Sequence, residues 1–171
     1  IYDPVPDPAI GFDTFSQSAD SVLTGETVNL SINIYNIGPV TLTADSLKIL
    51  FQESDAALGR RTFAVKNITQ SVPVDSFITI GQEWSSAGRT GLRQLYISLD
   101  PDDKIPELSA FNNNISTFVY VLKDTIKPEI RVTFDGKEVL YGDMISYKPL
   151  ILARLYAVSY THLTLPTKRI V

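Results

Sequence analysis

The sequence contains no cysteine, and this absence excludes several kinds of site at once. A chain without cysteine forms no disulfide, offers no thiol nucleophile and cannot hold zinc through thiolates. The absence does not exclude export, because many secreted bacterial proteins lack disulfides. Histidine is nearly absent too, since the one copy, His162, lies close to the end of the chain.

Long apolar runs and clusters of basic residues are also missing. No stretch has the roughly 20 consecutive apolar residues that cross a bilayer, so no membrane insertion is predicted. The formal net charge is −4 and no basic cluster is present, which argues against nucleic acid or an anionic membrane surface as a partner. The chain opens without Met or a signal-peptide pattern, and we interpret it as a piece of a longer protein.

What the sequence does contain is a strict alternation of apolar and polar residues. Residues 27–38 read TVNLSINIYNIG, in which Val28, Leu30, Ile32 and Ile34 alternate with polar side chains. A period of two predicts a strand with one buried face, and β-branched residues suit such a pleated surface. We predict that this stretch is a central strand.

Similar runs follow along the chain, separated by turn residues. Further strands are predicted within residues 9–16, 45–52, 63–71, 77–84, 92–99 and 114–122. Residues 20–26 are predicted to form a turn, and residues 53–61 a polar loop. Seven short strands without a helical period predict an all-β fold, a seven-stranded antiparallel sandwich of the immunoglobulin or fibronectin-III type. Residues 1–8 are rich in proline and predict a stiff linker, with the sandwich spanning residues 9–123.

The chain changes character after residue 123. Residues 129–135 alternate again, and Asp135-Gly136 favours a tight hairpin from which residues 138–141 are expected to return. We interpret residues 124–157 as the truncated start of a second β domain, a β-hairpin segment. Residues 158–167 read VSYTHLTLPT, which resembles a translated sequencing adapter, so residues 158–171 are interpreted as a non-native tail. The alternative is a genuine β segment, in which case His162 returns as a candidate residue.

The densest group of oxygen ligands lies in one predicted loop. It consists of Asp100, Asp102, Asp103, Glu107 and Asn113. Carboxylates and amides of one loop suit a hard cation such as Ca²⁺, although the spacing matches no known calcium loop. The alternative, and the commoner use of such residues, is a polar loop in which Asp and Asn bond their own backbone. Apart from this calcium, no cofactor is predicted.

Catalytic residues are not recognisable in this chain. Without His162 the serines have no histidine base, no carboxylate lies in a recognisable acid–base context, and no glycine-rich phosphate loop is present. We therefore predict that this part of the protein is not an enzyme. The aromatic residues Trp84, Tyr96, Phe118 and Tyr120 could line a sugar-binding face, and core or sheet packing is the alternative.

Two separated motifs resemble those of a known family. Asn36-Ile37-Gly38 ends the central strand, and a later strand runs into Asp100-Pro101-Asp102-Asp103, followed by Ile105, Glu107 and Asn112-Asn113-Asn114. Over residues 8–123 this resembles the CARDB family, the cell-adhesion-related domain of bacterial surface proteins. Residues 124–152 resemble the linker and sandwich opening of large exported proteins, including gingipain-type cysteine peptidases and other type IX secretion cargo.

These resemblances imply a non-catalytic extracellular module, a spacer, adhesion or domain-positioning unit of a larger exported protein. Its expected partners are neighbouring domains of the same chain and a surface protein or polysaccharide. One alternative is an accessory domain of a secreted gingipain-like cysteine peptidase whose catalytic domain lies upstream. Another is a carbohydrate-binding module.

Overall fold

The structure, a computed structural model, describes residues 3–55, 59–125 and 129–156. The chain divides between Lys123 and Asp124 into two compact units. The strands of the first unit are β1 Pro8–Ala9, β2 Phe15–Gln17, β3 Ser21–Leu23, β4 Thr27–Asn36, β5 Lys48–Asp55, β6 Gly59–Asn67, β7 Ser76–Ser85, β8 Gly91–Leu99 and β9 Asn114–Leu122. The second unit contains β10 Glu129–Phe134 and β11 Ile151–Tyr156.

The first sheet is organised around β4, as the alternation predicts. β7 pairs with β4 along its whole length, from Thr27 opposite Ser85 to Asn36 opposite Ser76. The short strands β1 and β2 pair with the other side of β4. The prediction of a central strand is therefore confirmed.

The second sheet has the strand order β3-β9-β8-β5-β6. Its neighbours are antiparallel except for β3 and β9, which run parallel. One hydrophobic core lies between the sheets, and Val28, Leu30, Ile32 and Ile34 of β4 are each at most 1% exposed. The predicted all-β sandwich is confirmed. The sequence did not reveal the short pairings of β1 and β2 with β4 and of β3 with β9.

Two differences from the predicted strands have simple causes. β3 lies within residues 20–26, a predicted turn, because only Val22 faces the core and Thr24-Gly25 follows at once. Residues 53–55 and 59–61, parts of a predicted polar loop, are instead the end of β5 and the start of β6, which pair as far as Asp55 opposite Gly59. β6 lies at the edge of its sheet, so its first residues remain polar and exposed.

The second unit contains the predicted turn but not the predicted return strand. Asp135 and Gly136 have φ values of 51° and 82°, and the Phe134 and Lys137 backbones exchange hydrogen bonds of 2.8 and 3.0 Å. Residues 138–141 do not continue this pairing, so that prediction is wrong. β10 pairs instead with β11, whose run ILARLY offers six consecutive partners.

Residues 158–171, including His162, lie outside the described residues, and the adapter interpretation stays a prediction. Within the described ranges, no helix has the length and apolar character of a membrane span.

Candidate functional site

The loop from β8 to β9, residues 100–113, carries every predicted cation ligand. Its first turn is closed by a hydrogen bond from the Asp103 backbone N–H to the Asp100 carbonyl at 2.9 Å. Both residues have positive φ values, 40° for Asp100 and 51° for Asp103, a region that Asp tolerates better than most residues. Asp100 Oδ2 accepts a hydrogen bond from the backbone N–H of buried Ile105 at 2.7 Å, which anchors the loop to the core.

Three carboxylates of this loop meet. Asp100, Asp103 and Glu107 each offer an oxygen, and these oxygens all lie within 4.8 Å of one another. Calcium binds oxygen at 2.3–2.6 Å, so two ligands of one ion lie up to about 5 Å apart. The observed spacing therefore suits a shared cation, whereas three negative charges without one repel each other.

Burial and this repulsion act together on Glu107. Burial raises the pKa of Glu107 above its ordinary value, and the negative charges of Asp100, Asp7 and Asp103 raise it further. A hydrogen bond of 2.6 Å from Asn113 Nδ2 to Glu107 Oε1 acts in the opposite direction without cancelling these effects. A bound cation would favour the ionised carboxylate instead.

Two buried oxygens of this cluster lack a hydrogen-bond partner in the described part of the chain. They are Glu107 Oε2 and Asn113 Oδ1. Buried polar atoms are normally bonded, and an ion is one recognised explanation for an exception. The polar-loop alternative accounts for Asp100 Oδ2 but leaves these atoms unexplained. Because every available donor is an oxygen, the set suits a hard cation such as Ca²⁺.

One predicted ligand, Asp102, lies apart from the others. Its carboxylate contacts Lys48 Nζ at 2.9 Å and Lys104 Nζ at 3.4 Å, and its side chain is 40% exposed. The hydrogen bond and charge of Lys48 lower the pKa of Asp102. The structure thus brings together Asp100, Asp103, Glu107 and Asn113, and places Asp102 in a surface ion pair.

The structure also buries Asp7, a residue of the predicted linker, whose negative charge contributes to the raised pKa of Glu107. Asp7 is only 3% exposed. Its backbone N–H donates to Asn36 Oδ1 at 3.1 Å, and its carbonyl accepts from the Ile37 N–H at 2.9 Å. The sequence gives no signal for this role, because Asp3 and Asp7 both precede proline and only the fold distinguishes them.

The Asn36-Ile37-Gly38 turn holds the linker in place. Asn36 is fully buried, and its amide accepts from Asp7 N–H and Gly38 N–H and donates to the Val40 and Val72 carbonyls at 2.8 and 3.0 Å. A Cβ atom at Gly38 would lie 2.4 Å from Asp7 N, 2.6 Å from the Pro6 carbonyl carbon and 2.6 Å from the Val5 carbonyl oxygen. Glycine is required here because the linker backbone lies directly against it.

The candidate aromatic face is not one surface. Trp84 is 1% exposed, and its Nε1 donates to Glu53 Oε2 at 2.7 Å within the core. The Arg60 guanidinium covers the ring of Tyr96 at 3.7 Å from its centroid. Phe118 and Tyr120, both on β9, are half exposed. Trp84 is therefore a core residue and is not available for stacking on a sugar.

Comparison with known proteins supports the fold. No protein-family model matches this chain, and no curated protein matches it. The crystal structure of the CARDB domain of a Pyrococcus furiosus protein in complex with di-metal ions is similar, with a TM-score of 0.57 and 16% identity over 69% of this chain and 90% of that one. A solution NMR structure of that domain has a TM-score of 0.53 and 15% identity over 68% of this chain and 96% of that one. At this identity the likeness shows that the fold is CARDB-like and shows nothing further.

Proposed function

We propose that this chain is a non-catalytic β-sandwich module that holds neighbouring domains of a larger exported protein in position. The observation that carries the proposal is that the entry linker is built into the sandwich. The backbone of Val5, Pro6 and Asp7 lies against Gly38, and Asp7 is bonded to the end of β4. A linker fixed in this way gives the preceding part of the protein a defined direction, unlike a flexible tether.

An extracellular or cell-surface location belongs to the same proposal. It is supported by the CARDB-like sequence motifs and by the CARDB-like fold, which is compatible with a non-catalytic module. On this proposal the partners are the adjoining domains and, through the end loops, a surface protein or polysaccharide.

A fusion tests the positioning role. A small folded domain is placed directly ahead of Ile1, and the rotational correlation times of both domains are measured by ¹⁵N relaxation. A positioning module gives both domains one common correlation time, whereas a Gly-Ser insertion ahead of Asp3 should separate the two values. Independent tumbling without the insertion would contradict the proposal.

We also propose that the loop from β8 to β9 binds a divalent cation, with calcium as the best fit. Asp100, Asp103, Glu107 and Asn113 supply the oxygens, and their mutual distances and missing partners support the assignment. The similar Pyrococcus furiosus domain was crystallised with two metal ions, which is a precedent for metal on this fold and does not identify ligands here. Asp102, paired with Lys48, is left out of this site.

The structure bears differently on the two alternative functions, a peptidase accessory domain and a carbohydrate-binding module. An accessory domain of a secreted cysteine peptidase would use the same positioning role, and gene sequence upstream of Ile1 that encodes a Cys–His peptidase domain would decide for it. A carbohydrate-binding module needs exposed, coplanar aromatic rings. Burial of Trp84 and the Arg60 cover on Tyr96 count against that alternative.

A further inference from the structure

We propose that a cleft on the outer face of the second sheet binds the carboxylate of an acidic sugar, with the Arg60 guanidinium as its anchor. The inference makes the polysaccharide partner more specific and rests on that part of the proposed function. It differs from the aromatic face considered above, because charge and hydrogen bonds hold the ligand and no sugar ring stacks on an aromatic ring.

The cleft is formed mainly by the paired strands β8 and β9. Its volume is 470 Å³, which lies within the range of small-molecule sites, about 300–1,000 Å³. The lining residues are Arg60 of β6, Tyr96 and Ser98 of β8, and Asn114, Ile115 and Ser116 of β9. Tyr96 lies opposite Ser116, and Ser98 lies opposite Asn114. Because side chains alternate along a strand and Ile97 between Tyr96 and Ser98 is buried, these four side chains share the outer face.

Arg60 is oriented over the cleft by Tyr96. The Arg60 side chain reaches Tyr96 across β5, which lies between β6 and β8 in the sheet. Its guanidinium carbon lies 3.7 Å from the centroid of the Tyr96 ring, a cation–π contact. The Tyr96 hydroxyl is fixed in turn, because it donates to Gln94 Oε1 at 2.6 Å. The positive group is therefore in place before a ligand binds.

The guanidinium of Arg60 has its hydrogen-bond donors available. Within the described residues it forms no ion pair, whereas Arg61 and Arg89 both pair with Glu53. A guanidinium presents its N–H groups as a planar fork that fits a carboxylate. Among the described residues that line the cleft, Arg60 alone is charged, so the cleft favours an anion.

The neutral groups of the cleft favour a sugar over a peptide. Ser116 Oγ accepts a hydrogen bond from Gln94 Nε2 at 3.3 Å, which leaves its hydroxyl hydrogen free to donate. The Ser98 hydroxyl and the Asn114 amide have no hydrogen-bond partner in the part of the chain that the structure describes. These groups suit the hydroxyls of a sugar. A peptide is usually anchored by large side chains in a pocket, and the one aliphatic lining residue, Ile115, is 5% exposed.

The overall charge limits which acidic polysaccharide fits. The chain has a net charge of −4 and repels a densely charged polyanion. One guanidinium suits one carboxylate. The ligand is therefore a polysaccharide in which neutral sugars separate the acidic units.

An NMR titration of the full 171-residue chain tests the assignment. D-glucuronate is titrated into ¹⁵N-labelled protein, with D-glucose as the neutral sugar and N-acetylglycine as the carboxylate of a peptide. Glucuronate should shift the Arg60 Nε–Hε resonance and the backbone amides of Tyr96 and Ser116. Glucose and N-acetylglycine should each bind at least about tenfold more weakly, because glucose lacks the carboxylate and N-acetylglycine lacks the hydroxyls.

Variants of exposed residues test the individual contacts. Arg60→Gln should raise the dissociation constant of glucuronate at least about tenfold, and Arg60→Lys should also raise it, because lysine keeps the charge but loses the fork. Arg154→Gln is the control, since it removes the same group from an exposed position on β11 and should stay within about twofold of the wild type. Asn114→Ala should weaken glucuronate binding and leave N-acetylglycine binding unchanged.

Each outcome supports or overturns a part of the inference. A folded Arg60→Gln variant that binds glucuronate as tightly as the wild type would refute the role of Arg60. Equal binding of N-acetylglycine and glucuronate would mean that the cleft takes any carboxylate, including that of a peptide, and would refute the sugar assignment. If glucuronate shifts none of these resonances, the inference fails as a whole. The fusion experiment decides the positioning role independently, so the two can fail separately.

Discussion

The side chain of Glu53 connects the two sheets by a hydrogen bond to Trp84. Glu53 lies on β5 and is 6% exposed, while Trp84 lies on β7 of the opposite sheet. Glu53 Oε2 accepts from Trp84 Nε1 and Arg89 Nε, both at 2.7 Å, and Oε1 accepts from Arg89 Nη2 at 2.8 Å and Arg61 Nη2 at 2.9 Å. Burial by itself raises the pKa of Glu53, but the hydrogen bonds from Arg89 and Trp84 outweigh it, and the net pKa is lowered.

Glu53→Gln should therefore destabilise the first unit in a pH-dependent way. Removing one partner of a buried ion pair costs about 3–5 kcal/mol at pH 7. Because the folded pKa lies below the ordinary value of 4.5, the contribution of the carboxylate is present above that pH and is lost as the pH falls through the folded pKa. Urea unfolding across this range should show the wild type converging on the variant at low pH.

The control for this prediction is Glu83→Gln on β7. Glu83 is exposed, so the same charge change should leave stability nearly unchanged at every pH. A constant difference between wild type and Glu53→Gln from pH 7 to pH 3 would contradict the ionic role of Glu53.

Ile32→Ala tests the centre of the core. Ile32 is 1% exposed on β4, and truncation of such a side chain costs about 2–5 kcal/mol by lost burial and cavity formation. Val65→Ala, at a side chain that is 50% exposed on the edge strand β6, should cost less than about 1 kcal/mol. Chemical denaturation measures both. A cost for Ile32→Ala no larger than that of the control would mean that β4 is not central.

At the scale of elements, Asn36 joins the linker, the end of β4 and the bridge between Leu42 and Val72. Its side chain is the common partner of Asp7, Gly38, Val40 and Val72. A buried polar asparagine of this kind sets where neighbouring backbone segments lie.

Asn36→Ala should destabilise the first unit by more than about 3 kcal/mol, because each buried group left without a partner costs about 1–3 kcal/mol. Asn33→Ala on the same strand is the control, since Asn33 accepts one exposed hydrogen bond from Thr79 and should cost about 1 kcal/mol or less. Urea unfolding compares the two variants. Equal costs would show that the Asn36 network contributes little.

The same elements show what the sequence could predict. Strands such as β4 and β8 can be predicted from the sequence. One face of each is buried, so apolar and polar residues alternate along the strand. β3 could not be found, since a three-residue strand with one buried side chain has no period to detect. The loop carboxylates were found because they are close in sequence. The burial of Asp7 was not predicted because it depends on the Asn36–Gly38 turn, which is far away in the sequence.

At the scale of the whole molecule, the two units differ in how much core they have. The buried apolar residues of the described chain all belong to the first unit, from Ile10 to Val121. The described second unit is a two-stranded ribbon with exposed Leu140, Met144 and Tyr147. An isolated two-stranded ribbon is marginally stable in water. We expect the cooperative melting transition to report the first unit.

Deleting residues 158–171 should leave that melting temperature unchanged. The tail is the segment that resembles a translated adapter, and the described core of the first unit is formed by residues between Ile10 and Val121. Deleting residues 1–7 is the matched change at the other end and should lower the melting temperature, because Asp7 is bonded to β4. Calorimetry measures both. A large drop on removing the tail would mean that the tail belongs to the fold.

Calcium should raise the melting temperature of the first unit through the carboxylate cluster. A ligand that binds only the folded state stabilises it by about 2.7 kcal/mol at 100 times its dissociation constant. For a domain of this size that corresponds to a rise of roughly 10 °C, which EDTA should reverse.

The chain is acidic, with a net charge of −4, so general screening by salt is a second way to stabilise it. Two controls separate the causes: NaCl at matched ionic strength reproduces screening, and Asp100→Asn removes a carboxylate of the cluster. A rise that survives in Asp100→Asn, or that NaCl reproduces, would assign the effect to screening, whereas a rise specific to calcium and lost in Asp100→Asn requires a bound ion.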